Sequence, residues 1–407
     1  MTGVAVTGLG MITPAGHTAS DTWRTVCEGR GLARPDPELA GLDIDISCRV
    51  DDFDATRVLG RPLARRLDRF AHLALVAARE AVEDAGLEPG LRSLAPRVGV
   101  VLGVGSNSLA TYAREFGRLA RGDAALVSPL ALTRSVPSMA AAEVALDLKA
   151  TGPNFTASSA CASGATAIGI AAALLDSGAC DIVLAGGAES GRSRMTATCF
   201  ASLRALSRRT AEPRRASRPF DADRDGLVLS EGAAVLVLER LDHARRRGAS
   251  VRSLLRGHAT GCDAHHPVAP HPDGQGAEHV LRTAIAAARL TPRDVRHVNA
   301  HGTGTRAGDA AEARALLRVF AGAVPPVTAA KGVLGHALGA GGAIEAALTV
   351  LTLEHQLVPP TANHDLQEAG QRLDIVTGRP RPGPLHSAVC NSFGFGGQNA
   401  VLVFTTP

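Results

Sequence analysis

Four stretches of this chain carry side chains that could act on a carbonyl carbon. The first is Thr156-Ala-Ser-Ser-Ala-Cys161-Ala-Ser-Gly-Ala165, which places one cysteine where the chain turns from strand to helix. Asn154 and Phe155 lead in from a Thr-Gly-Pro turn, and Ala162 to Leu175 is an Ala/Ile/Leu run of helical length. Cys161 is therefore expected at or near a helix start, where unpaired N–H groups and the positive end of the dipole favour the nucleophilic thiolate. A buried structural cysteine is the competing reading.

The other three stretches lie in the second half. His301, in Asn299-Ala-His-Gly-Thr303-Gly-Thr305, follows the apolar run 295–299, so it stands at a strand end on a glycine-relieved loop. Lys331 precedes His336 by five residues. The chain uses arginine for nearly every other cation, keeping lysine only at 149 and 331, which singles out this amine. Asn391-Ser-Phe-Gly-Phe395-Gly-Gly397 is a glycine-rich turn before the last strand, able to offer a backbone N–H to a developing oxyanion. A tight turn needing positive φ is the plainer reading, and the two are compatible.

The elements that must position these groups follow from pattern. Residues 66–86, 133–148 and 276–289 have helical apolar spacing. Apolar runs at 4–13, 98–105, 181–188, 233–239, 295–299 and 400–404 read as strands buried on both faces. Their alternation predicts an α/β protein with a largely parallel core. The first strand runs into a glycine turn, but the third glycine and the closing acidic residue of a dinucleotide fingerprint are absent. An internal repeat sets Cys161-Ala-Ser-Gly-Ala against His336-Ala-Leu-Gly-Ala at a constant offset. It predicts two related halves whose central helices pack through small residues, each presenting Cys161 or His336 at its start.

Composition narrows the class. The chain has 407 residues and a net charge of only +4, too small to argue for nucleic acid. Seven cysteines without a CxxC pair argue against a disulfide framework or a zinc site and fit a reducing cytoplasm. The opening Met1-Thr2-Gly3-Val4 has no basic region and no long apolar run, so neither a signal peptide nor a membrane span is expected.

Together these segments resemble the β-ketoacyl-acyl-carrier-protein synthases of the elongating class. The marks are Ser159-Ala-Cys161-Ala-Ser-Gly, Arg224-Asp-Gly-Leu-Val-Leu-Ser-Glu231-Gly, the His301 and Lys331-Gly-Val-Leu-Gly-His336 motifs, and Asn391-Ser-Phe-Gly-Phe-Gly-Gly. The resemblance implies the thiolase fold, a five-layered α/β/α/β/α sandwich of two related halves, 1–245 carrying the cysteine and 246–407 both histidines. It implies that Cys161 takes an acyl chain as a thioester, with the N–H groups of Cys161 and Phe395 as oxyanion donors. His301 and His336 would then assist decarboxylation of malonyl-carrier protein. Lys331, with Glu345, would orient or tune His336, and Asp309 and Glu312 would support the site. Phe200 and Phe395 would gate the acyl tunnel, and Thr303 and Thr305 would line the path of a phosphopantetheine that arrives on the carrier protein. No resident cofactor and no metal are implied.

Two departures bear on substrate: Leu227 where the family commonly has an aromatic, and Ser106-Asn107 where an apolar residue is common at the expected depth of the acyl pocket. They point to a roomier or more polar pocket, as for a specialised polyketide or polyene chain. Arginine clusters at 65, 66 and 69 and at 204–218, with Arg65, Arg66, Arg204 and Arg208 foremost, would dock an acidic acyl carrier protein. The resemblance leaves open a homodimer or a heterodimer with a chain-length partner. A non-catalytic chain-length subunit, a cysteine hydrolase and, through Cys390, a thiolase are rival readings that the full Cys-His-His set disfavours.

Overall fold

The computed structural model describes residues 3–87, 91–106 and 108–407. Ten strands form its main sheet: β1 (Val4–Ile12), β2 (Val98–Gly103), β3 (Asn154–Ala157), β4 (Ile182–Ser190), β5 (Glu231–Arg240), β6 (Ser253–Cys262), β7 (His297–Asn299), β8 (Val327–Thr328), β9 (Ser387–Gly394) and β10 (Gln398–Thr405). Their order is β8-β7-β9-β10-β6-β1-β5-β4-β2-β3. The second half thus repeats the arrangement of the first, strand for strand, and the halves join through a short antiparallel ladder of Val4–Val6 on Ser253–Leu255.

Six helices follow the same repeat: α1 (Arg69–Asp84), α2 (Met139–Leu148) and α3 (Ser163–Asp176), then α4 (Gln275–Ala287), α5 (Arg306–Val319) and α6 (Gly341–His355). Helices α1 and α2 bury their apolar faces on the outside of the first half-sheet, and α4 and α5 on the outside of the second. Between the half-sheets lie α3 and α6, inside one continuous core. Five layers result, because each half-sheet is apolar on both faces and must be covered twice. The thiolase-type sandwich expected from the sequence is the architecture observed.

The central helices approach closely, as the small-residue repeat predicts. A Cβ on Gly164 would lie 2.7 Å from the Ala343 nitrogen, and one on Gly342 would lie 3.0 Å from the Ala165 nitrogen. This reciprocity pairs Gly164 with Gly342 and Ala165 with Ala343, three positions away from the register that the sequence match suggests. The equivalent of Cys161 is therefore Gly339, not His336. Backbone strain agrees: Ala160 (φ 49°) and Leu338 (φ 44°) precede these two positions in matching left-handed turns. Cys161 stands two residues before α3, as expected. His336 stands five before α6, separated from it by a 3-10 turn, Leu338–Ala340.

Two further expectations are corrected. The core is not largely parallel: β1 pairs antiparallel with β5 and β6, β4 with β5, β10 with β6 and β9, and parallel pairs are confined to the flanks around β2 and β7. Strands buried on both faces are apolar throughout whichever way they run, so pattern carries no direction. The helix expected over 133–148 is two, Ala131–Ser135 and Met139–Leu148, because Pro137 forces Val136 into an extended conformation (ψ 142°).

Candidate active site

Cys161, His301 and His336 line one cavity of about 390 Å³, although they come from three separate segments. Cys161 is held by the left-handed Ala160 on one side and α3 on the other. The backbone N–H groups of Phe395 and of Cys161 itself lie near enough to its sulfur to favour its negative charge. Phe395 is brought there by the β9–β10 hairpin, whose Gly394 packs so closely on the cysteine turn that a Cβ would lie 3.0 Å from the Cys161 nitrogen. Gly396 then reverses the chain at φ 77°. Burial pushes the Cys161 thiol up to about 11, against the pull of Lys331 and the two N–H groups. Desolvation thus outweighs the donors at the helix start and works against the thiolate.

His301 stands two residues beyond β7, and α5 fixes its loop. Glu312 accepts the His301 N–H at 2.9 Å, the Gly302 N–H at 2.8 Å and the Asn391 side-chain amide at 3.0 Å. Asp309 accepts the N–H groups of Thr303 (2.9 Å), Gly304 (3.1 Å) and Phe220 (2.7 Å). Two carboxylates on one face of a helix thus hold four successive loop residues from behind. Burial raises both, Asp309 to about 6.

Lys331 is buried, and its ammonium donates to the Glu345 carboxylate, to the His301 carbonyl at 2.8 Å and to His301 Nδ1 at 3.3 Å. The direct contact is with His301, while His336 feels the Lys331 charge through space, and Lys331 lies on its own short helix, Lys331–Leu334, apart from Glu345 on α6. Because an ammonium only donates, His301 Nδ1 must accept, which leaves the proton on Nε2. Burial first, and then the Lys331 charge, hold both imidazoles well below their ordinary range, with His336 adding to the depression of His301. The rings stand edge to face with centroids 5.4 Å apart. The site therefore presents a sulfur, two amide donors and two neutral imidazoles around one space, a set suited to acyl transfer to sulfur followed by stabilisation of an enolate oxygen.

A family model for the beta-ketoacyl synthase N-terminal domain matches residues 1–244, and one for the C-terminal domain matches 252–365. The chain belongs to the beta-ketoacyl synthase family. The 3-oxoacyl-[acyl-carrier-protein] synthase 2 of Synechocystis sp. is 40% identical over 408 residues, covering 98% of this chain and 97% of that protein. A beta-ketoacyl synthase from Burkholderia phymatum superposes with a TM-score of 0.93 at 34% identity, covering 100% of both chains. The ishigamide ketosynthase/chain length factor gives 0.92 at 32% identity over 100% of this chain and 99% of that one.

In this member of the beta-ketoacyl synthase family, most of the remaining candidates converge on the same cavity. Phe200 and Phe395 stack at its mouth with centroids 5.5 Å apart, and Leu227, Thr303 and Thr305 line its wall. Ser106 does not line the described cavity; its hydroxyl bonds to the buried carboxylate of Glu189 at 3.2 Å. Asn107 lies outside the described residues. Cys390 is fully buried on β9 and is not part of the cavity wall, because alternation along that strand turns it toward the inter-sheet core.

The arginines divide. Arg204, at the cavity mouth, and Arg208 are exposed. Arg66 pairs from the surface with the buried Glu143, the half-buried Arg69 holds the fully buried Glu231, and Arg218 is buried with Asp221, so each of these charges already has a carboxylate partner. Only Arg65 of the first cluster stays exposed without such a pairing in the described residues. Sequence reasoning passed over Glu189, although a lone acid closing the apolar run Ile182–Ala188 was a visible signal. It also missed Phe393, which packs edge-on against His301 at 5.8 Å.

Proposed function

We propose that this chain is a condensing enzyme that accepts an acyl chain on Cys161 and extends it with a malonyl unit, releasing carbon dioxide and a β-ketoacyl product on an acyl carrier protein. The observation that carries the reading is the convergence of the Cys161 sulfur, two N–H donors and two neutral imidazoles on one cavity. Attack of the sulfur on the incoming thioester would pass through an oxyanion facing the Cys161 and Phe395 N–H groups and expel the phosphopantetheine thiol. Loss of carbon dioxide from the malonyl thioester would then leave an enolate, whose oxygen the N–H of His301 Nε2 and the His336 ring can bond. Its carbon would attack the acyl-Cys161 carbonyl and return the sulfur. Cleavage of the carboxyl group supplies the carbanion, so neutral imidazoles acting as donors suffice. Residues 1–245 would supply the nucleophile and 246–407 the histidines, with no resident cofactor.

The pathway reading is a specialised polyketide or polyene chain, supported by Leu227 on the cavity wall where a larger aromatic is common in the family. A cytoplasmic setting fits the free cysteines, and no helix among the described residues is long and apolar enough to cross a membrane. For the partner, β3 is a free sheet edge with Phe155 exposed, and Phe116, Leu126 and Leu132 expose large apolar surface on the segments just before it. Such a face calls for a cover, and a second copy or a homologous chain-length partner is the occupant we assign. Intact-mass analysis of the chain, with and without that partner, after mixing with acyl- and malonyl-carrier protein tests the function. It should show acyl on Cys161 and then a β-ketoacyl carrier; a chain that takes up no acyl group would be a scaffold instead.

A further inference from the structure

Glu189 has no part in the chemistry just described, yet its surroundings are specific. It ends a run of fully buried residues on β4, and it is 3% exposed itself. One carboxylate oxygen accepts the Gly105 N–H at 2.8 Å and the other accepts the Ser106 hydroxyl at 3.2 Å, while Gly339 packs so closely that a Cβ there would lie 2.9 Å from the carboxylate. Core packing accounts for an apolar side chain at this position. It does not account for a buried carboxylate gathered by neutral donors, which is costly to desolvate and persists only where its hydrogen bonds compensate that cost.

What those bonds hold is the frame of the site. Gly105 and Ser106 leave β2 behind the cysteine turn, and a Cβ on Gly105 would lie 3.2 Å from the Ala160 carbonyl oxygen and 2.9 Å from the Glu189 carboxylate. Gly339 lies three residues after His336 and is the repeat equivalent of Cys161; a Cβ there would lie 2.1 Å from the Gly105 nitrogen. Both related turns are strained at the preceding residue, Ala160 and Leu338, and such conformations survive only where their surroundings over-determine them. Glu189 sits in the seam between them.

We propose that Glu189 is a positioning residue for the condensing site: its carboxylate staples the segment behind the Cys161 turn to the turn that follows His336, fixes the separation of sulfur and imidazole, and balances the Lys331 charge at the sulfur. Of the charges near Cys161, Lys331 draws the thiol down and Glu189 pushes it up, while His301 and His336 face it as neutral rings. This rests on the reading of Cys161 as the acyl-accepting nucleophile.

The test uses the full chain, with its partner where one is required, and the variants Glu189→Gln and Glu189→Asp. Alkylation of Cys161 by iodoacetamide is followed by peptide mapping across pH, and acyl loading from a small thioester is compared with condensation. Glu189→Gln should move the Cys161 alkylation midpoint to lower pH and cut condensation by roughly tenfold or more while loading falls less, since a shift of about 1 Å is enough to spoil a two-group geometry. Glu189→Asp keeps the charge and so should keep the midpoint, yet lose condensation through its shorter reach. An unmoved midpoint in Glu189→Gln, or equal losses in both steps, would overturn the proposal. If Glu189→Gln does not fold, Glu189→Asp decides it through the loading-to-condensation ratio, an unchanged ratio counting against it. A wild-type chain that takes no acyl group on Cys161 removes the nucleophile reading and this proposal with it, whereas normal wild-type loading beside an indifferent Glu189→Gln overturns this proposal alone.

Discussion

Lys331 Nζ stands 3.3 Å from His301 Nδ1 and 2.8 Å from the His301 carbonyl oxygen, with Glu345 as its third partner. One ammonium thus fixes the tautomer, the ring and the backbone of His301 together, and from the same place lowers the thiol of Cys161. Replacing it removes both effects. Lys331→Met should move Cys161 alkylation to higher pH, because the charge that favoured thiolate is gone, the opposite direction from Glu189→Gln. Iodoacetamide kinetics across pH give the sign directly.

The two histidines should separate the half-reactions. In His301→Ala and His336→Ala, acyl loading of Cys161 should survive while condensation drops by about 10²- to 10⁴-fold, the range for loss of a positioned proton donor. Intact mass reads the first and product formation the second. Equal loss of both steps would mean that the imidazoles serve the thiol rather than the enolate.

Carrier docking should follow exposure rather than charge count. Arg204→Glu with Arg208→Glu should raise the KM for carrier-bound substrate and leave small thioesters unaffected. Arg66→Glu should instead lower the melting temperature, because it sets a second carboxylate against the buried Glu143. Steady-state kinetics and thermal denaturation distinguish the two outcomes.

His297 carries a pH dependence unrelated to catalysis. Its ring is fully buried on β7, neither nitrogen finds a partner among the described residues, and burial lowers it to about 3. Between that value and the ordinary 6.5 the unfolded chain binds the proton and the folded chain does not, so this residue costs stability as pH falls below 6.5. At pH 5 the cost is about 2 kcal/mol. His297→Leu should therefore raise stability more at pH 5 than at pH 8, as denaturant melts would record.

The apolar face beside β3 gives a simpler measurement. Phe116→Glu with Leu132→Glu should leave the fold intact, since both side chains are more than half exposed, but should prevent assembly with a second copy or a homologous partner. Light scattering after gel filtration reports the mass.

Much of this protein was legible in its residues. Cys161 at a strand-to-helix turn, His301 at a strand end and the glycines around Phe395 are local features, because chain direction and backbone freedom are set by near neighbours, and the small-residue repeat disclosed two halves. What only the tertiary structure decided depends on distance across the fold. The repeat register moved by three residues because the contact of Gly164 with Ala343, not the sequence match, aligns the central helices. Lys331 meets His301 and Glu345 at once because two separate segments bring those groups to one ammonium. The Cys161 thiol is pushed up because burial, a sum over every atom packed around it, works against the pull of a helix start. Strand direction, the ion pairs of Arg66 and Arg218, and the placement of Glu189 behind the nucleophile share that cause: each is set by what lies opposite in space, which no single stretch of chain contains.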